Sequence, residues 1–310
     1  MSETEATELP RGIALAWGVA ANPQRGPKRE MSVERIVDAA VELADADGIG
    51  AVSMAAVAAK LGFTPMSLYR YVSAKDDLLL LMQEQATGLP PESHRELDGW
   101  RDKLRALFEA QVLCYLRHPW MLSLPIAGSP ITPNSSAWME AGLTALEETP
   151  LDADERLAVA LAMTGHARWC GIVQAGYAEE SRRTGRSAAE VSQNEAELFD
   201  RVIDATEFPA LRRAIDDGVF TSAADPFRFA VERTLDGVSA YIDALDRGEP
   251  RALPHTWLAV DPVELAGDRR VREAQKAVRE AEKALHAARK VERQALKDAA
   301  ERMARAKRQA

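Results

Sequence analysis

The segment SMAAVAAKLGFTPMSLYRYVSAKDDLLL, residues 53–80, decides the fold. Ser53 is a good helix N-cap, and Val57, Ala58 and Leu61 follow it at helical spacing. Gly62 comes next, a residue without Cβ that tolerates the left-handed backbone of a tight turn. Thr64 or Pro65 opens a second helix, because proline suits a first-turn position. Ser73 starts a third, with Asp76 at the reciprocal capping position, running to about Gln85. Two short helices joined by a tight turn make a helix-turn-helix, and that arrangement implies sequence-specific DNA binding.

The second helix divides its residues between core and surface. Leu68 and Val72 lie one turn apart and point inward, which sends Ser67, Arg70 and Tyr71 outward. Ser67 is short enough to approach a base edge, and Arg70 can grip a guanine or a phosphate. Tyr69 can donate its hydroxyl to phosphate. Lys75 stands at the start of the next helix, where unpaired backbone N–H groups also favour an anion.

Upstream, Ser32 caps an amphipathic helix whose apolar stripe is Ile36, Ala39, Ala40, Leu43 and Ala44, ended by Gly48 and Gly50. Residues 1–31 read as a flexible arm with the cations Arg11, Arg25, Lys28 and Arg29 around an apolar patch from Gly12 to Val19. That patch either packs onto the domain surface or belongs to a basic arm that touches phosphate or the minor groove. Gly88, Pro90 and Pro91 close the first domain, expected over 32–88.

The chain has 310 residues, 46% of them apolar, and lacks strand-like runs of β-branched residues, so the fold class is all-α. A second helical domain is expected over 92–250, with a cap at Asn134, a very long helix from Asp152 or Asp154, and a last helix opened by Asp225 and Pro226. After a linker with Pro254 and Pro262, residues 263–310 form a basic helical tail rich in Ala, Arg, Lys and Glu. Val271, Ala274, Val278, Ala281 and Leu285 have heptad-like spacing, but alanine is too small there for a strong coiled coil.

Apolar runs fall well short of the ~20 residues that span a bilayer. The acidic start MSETEATELP is no signal peptide, and the two cysteines, Cys114 and Cys170, read as reduced core thiols. A cytoplasmic protein without metal or cofactor is expected. The net charge of −9 hides an asymmetry: residues 268–310 carry 14 Lys+Arg against 7 Asp+Glu, a net of +7, leaving −16 elsewhere. A local basic surface decides phosphate contact, not the total.

Residues 92–250 show no catalytic set. His94, His118 and His166 have no partners at ligand spacing, and there is no Gly-rich phosphate loop. Trp120, Met121, Trp138, Met139, His166, Trp169, Cys170, Val173 and Tyr177 supply the aromatic, soft and polar groups of a small-molecule pocket, or of an ordinary core. Val159, Leu161 and Ala162 in the long helix, and Phe229, Val231, Leu235, Val238 and Ile242 in the last, exceed what one helix side needs. Two such helices from each of two subunits make a four-helix dimer seam.

The stretch LGFTPMSLYRYVSAKDDLL and the helix before it, ERIVDAAVELADADGIGAVSMAAVAAK, resemble the tetracycline-repressor-like (TetR) family of transcriptional regulators. The resemblance covers about residues 30–85 and rests on the turn glycine, the Leu-Tyr pair and a lysine before an acidic residue. It implies a homodimer on a palindromic double-stranded DNA operator, released when a small-molecule effector binds the C-terminal domain. By motif position it assigns DNA contact to Ser53, Thr64, Pro65, Met66, Ser67, Tyr69, Arg70, Tyr71 and Lys75. Where some members carry a base-reading arginine, two residues after the first cap, this chain has Ala55. The competing expectation is a helical enzyme or scaffold that retains a vestigial DNA-binding fold.

Overall fold

Ser32 and Ser53 each accept a hydrogen bond from the backbone N–H three residues on, from Arg35 and Ala56, and so start helices α2 (Val33–Asp47) and α3 (Met54–Leu61). The protein is seen here in a computed structural model that describes residues 9–19, 31–125, 131–251 and 267–309. The expectations for Arg25, Lys28, Arg29, Pro254 and Pro262 lie outside the described residues. The described residues are helical with no strand among them, and the chain divides into two compact units, Met1–Glu249 and Pro250–Ala310.

In the first unit, α1 (Arg11–Ala16), α2, α3, α4 (Pro65–Leu68) and α5 (Lys75–Thr87) surround one core. Ile36, Ala40, Val57, Leu68, Val72, Leu78 and Met82 are fully buried in it. The apolar patch around Gly12 packs as α1 against α5, and the Trp17 indole N–H donates to the Ile131 carbonyl at 2.9 Å. The surface-packing alternative is therefore the one the fold adopts for this patch.

Two expected caps sit elsewhere. Helix α5 begins at Lys75 with Ala74 as N-cap and no capping side chain, so Ser73 and Asp76 form no capping box. Helix α7 (Pro133–Ala145) is entered through Thr132 rather than Asn134. Pro133, lacking an N–H, fits the first helical position and fixes that register. Asn134 is thereby free to bond α5: its backbone N–H donates to Glu84 Oε1 at 2.7 Å and its side-chain amide to the Glu84 carbonyl at 2.8 Å.

The second core is built from α6 (Trp100–Arg117), α7, α8 (Ala153–Thr184) and α11 (Pro226–Asp246), with α9 (Ala188–Val202) and α10 (Pro209–Asp216) between α8 and α11 in the chain. A reciprocal capping box between Asp152 and Glu155 starts α8, and Asp225 caps α11. Leu104, Leu107, Met163, Ala167, Cys170, Val231, Leu235 and Ile242 are buried together. Helices α6 and α8 approach closely at Gly171, where an added Cβ would stand 2.9 Å from the Tyr115 Cβ. Tyr115 packs against both cores and joins them. Cys114 and Cys170 are free thiols, and burial pushes both above the ordinary thiol range.

An ionic cluster ties α6 to α11. Arg105 Nε donates to Glu232 Oε1 at 2.7 Å, and Arg101 Nη2 donates to Glu232 Oε2 at 2.7 Å and to Asp236 Oδ1 at 2.5 Å. Hydrogen bonds from Arg105 and then Arg101 hold the Glu232 carboxyl down at about 2. Its stabilising effect is therefore present above the unfolded carboxylate value, near 4.5, and is lost as pH falls toward 2. Glu232→Gln is expected to cost about 1–2 kcal/mol at pH 7, because contact with water screens the cluster. Chemical denaturation at pH 7 and at pH 3 checks this: the gap between wild type and variant should narrow at pH 3.

The second unit contains α12 (Arg269–Gln309), one helix of 41 residues.

Candidate nucleic-acid interface

The reading segment is held by its own buried residues. Gly62 ends α3 at φ +77°, a left-handed conformation that a Cβ would strain. The chain then turns into α4, whose Thr64 hydroxyl lies 2.9 Å from the Ser67 hydroxyl. Leu68 and Val72 are 0% exposed, and Tyr71 and Val72 both donate their backbone N–H to the Leu68 carbonyl. These anchors leave the other side of the turn to solvent: Thr64, Pro65, Met66, Tyr69 and Arg70 are exposed, Met66 at 72%. An apolar side chain so exposed on so well-packed a turn has no role in the subunit's own core.

Arg70 faces outward as the spacing required, and Ser67 is half-buried beside Thr64. Tyr71 departs from expectation. It is partly buried against the N-terminal core, and Tyr69 takes the solvent side. The reason is geometric: α4 ends at Leu68 after four residues, so the outward register of a longer helix does not carry on to Tyr71. Ser53 is exposed, but its hydroxyl oxygen caps α3. Ala55 is exposed on α3 and offers no donor to a base.

Lys75 opens α5 and is exposed. A cation at a helix N-terminus opposes the macrodipole, and this N-terminus has no capping side chain. Asp76 and Asp77 in the same first turn complement the dipole, and a phosphate approaching this end would accept from the N–H groups and pair with the lysine against those two carboxylates.

The nine pocket residues do not converge on one cavity. Trp120 and Met121 are buried in the N-terminal core, and the Trp120 indole N–H donates to Asp45 Oδ1 at 2.7 Å. Trp138 donates to the Gly88 carbonyl at 3.0 Å, with Met139 half-buried beside it. His166 Nε2 is 3.0 Å from the Thr234 hydroxyl, and Cys170 is buried in the second core. Val173 is half-buried, and Tyr177 donates to Glu195 of α9, which pushes its hydroxyl up to about 12. Trp169 is 59% exposed. An open cleft of about 450 Å³ lies between α9 and α10, lined by Glu197, Asp200, Arg201, Phe220 and others, and includes none of the nine.

Sequence reasoning missed the residues that attach the reading head to the rest of the unit. His118 Nδ1 lies 2.8 Å from the same Asp45 oxygen that Trp120 uses. Arg168 of α8 donates to the carbonyls of Leu122 and Leu124, both at 3.0 Å, in and after the turn that carries Trp120. With the Asn134–Glu84 and Trp138–Gly88 bonds, these clamp α2 and α5 onto the second core. Their partners lie 44 to 75 residues apart, beyond any local pattern.

Comparison with known proteins agrees with this geometry. The family profile described as "Bacterial regulatory proteins, tetR family" matches residues 36–82, and the one described as "Tetracyclin repressor-like, C-terminal domain" matches residues 91–242. The HTH-type transcriptional repressor DrrR1 of Streptomyces coeruleorubidus is 33% identical over 244 residues, 78% of this chain and 89% of that protein. An HTH-type transcriptional regulator of Saccharopolyspora erythraea is 32% identical over 173 residues, 54% of this chain and 70% of the relative. Among solved structures, the Streptomyces coelicolor TetR family protein ActR in complex with actinorhodin superposes with a TM-score of 0.55 at 24% identity, covering 70% of this chain and 97% of that one. That likeness shows a shared fold. The chain belongs to the TetR family of bacterial regulatory proteins, and it is a DNA-binding transcriptional regulator rather than an enzyme.

Proposed function

We propose that the protein is a homodimeric cytoplasmic repressor that binds a palindromic operator and releases it when a small, largely apolar molecule enters the second core. The observation that carries the reading is the exposed row Met66, Tyr69 and Arg70 on a turn pinned by fully buried Leu68 and Val72. With Thr64, Pro65, Ser67 and Lys75 it makes a surface of short polar groups and cations suited to one major groove. The repressor name of the 33%-identical relative supports the direction of regulation. Among the described residues no helix is long and apolar enough to cross a membrane.

The dimer reading is supported by the faces left open on α8 and α11. Leu161, Gly165, Trp169 and Ile172 recur along the solvent side of α8, and Phe229, Gly237 and Ala240 along that of α11. Val231, Leu235 and Ile242 are spent on the subunit's own core, so the seam is narrower than the full apolar sets of both helices.

The effector reading is supported by half-buried polar groups that pair with one another at the edge of the second core. His166 meets Thr234, and the Gln111 amide donates to the Thr164 hydroxyl at 3.4 Å. A ligand entering beside Trp138, Met139, Cys170 and Val173 exchanges its own polar atoms for these pairs and displaces α7 or α8. The two clamps carry such a displacement to α2 and α5. The ActR complex with actinorhodin is an instance of this fold holding a ligand. Weakening both clamps with the Asp45→Ala, Glu84→Ala, Trp138→Phe triple variant, which removes the side-chain acceptors of Trp120 and of the Asn134 N–H and the indole donor to Gly88, is expected to split one calorimetric unfolding transition into two, the reading head melting first; one undivided transition would contradict the clamp role.

Selection of bound fragments from random duplex DNA tests the function as a whole. The expected product is an inverted repeat with half-sites one helical turn, roughly 34–36 Å, or a multiple apart. Recovery without sequence preference would contradict it.

A further inference from the structure

Helix α12 carries a stripe of cations that the reading head does not use. Arg272, Lys276, Arg279, Lys283 and Lys290 follow one another at spacings of four, three, four and seven residues, which keeps them on one side of an α-helix. All five are exposed. From Arg272 to Lys290 the helix rises about 27 Å, the length of roughly eight base pairs of duplex. The exposed apolar residues Val278, Leu285, Leu296 and Met303 recur on a different side. The stripe therefore remains available whatever meets the apolar row. Its cations are weakly committed within the helix: Lys276 reaches Glu280 only at 3.8 Å on the surface.

We propose that this stripe is a second, sequence-independent DNA contact, laid against duplex phosphates. Charge complementarity carries the assignment. A chain whose other residues total −16 approaches a polyanion at a Coulombic disadvantage, and residues 268–310, at +7, are the part that offsets it. A row of lysines and arginines with no aromatic among them fits phosphate contact, which needs charge and not stacking. The same composition disfavours an anionic membrane surface. Helices that lie in the lipid interface use Trp, Phe and Leu, whereas alanine dominates here and Trp and Phe are absent from residues 269–309. The stripe thus sets overall affinity and its salt dependence, while the reading head sets sequence choice. The proposal rests on the family's DNA binding and on the proposed operator reading only for the division of labour.

The test uses the full chain with Arg272, Lys276, Arg279, Lys283 and Lys290 replaced by glutamine, which keeps helix propensity and removes the charge. Affinity for operator and for random duplex is measured by fluorescence anisotropy from about 50 to 200 mM salt, with circular dichroism to verify helix content. Each lost phosphate contact lowers the salt slope by about 0.9, so the expected result is a slope smaller by at least about 2 and random-duplex binding weakened about tenfold or more, with operator preference unchanged. Arg70→Ala run in parallel is expected to do the reverse, losing preference and keeping most of the slope. A five-site variant with wild-type slopes overturns the proposal and leaves the operator reading intact; a wild type that binds duplex with the full slope but no preference does the opposite. Loss of binding to phosphatidylserine vesicles by the five-site variant, with DNA slopes unaltered, also overturns it in favour of a lipid partner.

Discussion

Arg70→Ala is expected to weaken operator binding by about 10- to 100-fold while leaving the protein folded and dimeric. Arg70 is exposed, and the packing around it belongs to Leu68 and Val72, which the substitution does not touch. A bidentate arginine–guanine contact discriminates by about 1–3 kcal/mol, and a dimer makes the contact twice. Arg70→Lys separates charge from geometry. Lysine keeps the phosphate attraction but lacks the planar fork, so its salt dependence should match wild type while its preference for operator over random duplex falls. Anisotropy with both duplexes reads the two quantities together, and an unchanged preference in Arg70→Ala would remove Arg70 from base reading. Lys75→Ala is expected to weaken both duplexes alike, as loss of a phosphate contact does.

The other large effect concerns assembly. Phe229→Glu is expected to leave the subunit stable, because the ring is 64% exposed and makes little of the second core. In the proposed dimer this position meets its counterpart region across a two-fold axis, so one substitution places two carboxylates in the proposed seam. The dimer should dissociate, and operator affinity should fall by at least about a thousandfold toward the nonspecific level, because a single head has lost its partner half-site. Trp169 supplies an independent signal. It is 59% exposed in the isolated subunit and lies on the open side of α8, so the difference spectrum between wild type and Trp169→Phe should show a blue-shifted indole that moves red in Phe229→Glu. A variant that stays dimeric by light scattering would place the seam elsewhere.

Much of this molecule is legible from local sequence. Ser32, Ser53, Gly62, Asp152 and Asp225 mark helix ends by chemistry that acts within a few residues, and each does so in the structure. The spacing of Leu68 and Val72 likewise identified the buried side of the reading turn. What sequence could not reveal depends on distant partners. Trp120 and Met121 look like pocket residues until Asp45, 75 positions away, draws the indole into the N-terminal core. Asn134 reads as a cap until Pro133 shifts the register and Glu84 takes its amide. Tyr71 misled because periodicity assumes a helix that continues, and α4 stops after one turn. Phe229 and Val231 are equally apolar, and only the packed fold shows that one faces solvent and the other the core.

The division of labour between these parts has a physical logic. On the proposed reading, specificity comes from a few exposed side chains on a rigid turn, which cost little to present because buried neighbours hold them. In the proposed mechanism, communication runs through hydrogen bonds at the junction: Asp45 with His118 and Trp120, Glu84 with Asn134, Gly88 with Trp138. These bonds are few, and a conformational shift of a few kcal/mol in the second core is enough to exchange them.

Hydroxyl-radical footprinting of the selected duplex, with the mass of the same complex measured in solution, addresses the central claim most directly. Two symmetric sets of protected sugars, separated by a whole number of helical turns and held by paired chains, are the expected result. A single asymmetric patch, or one chain per duplex, would contradict it.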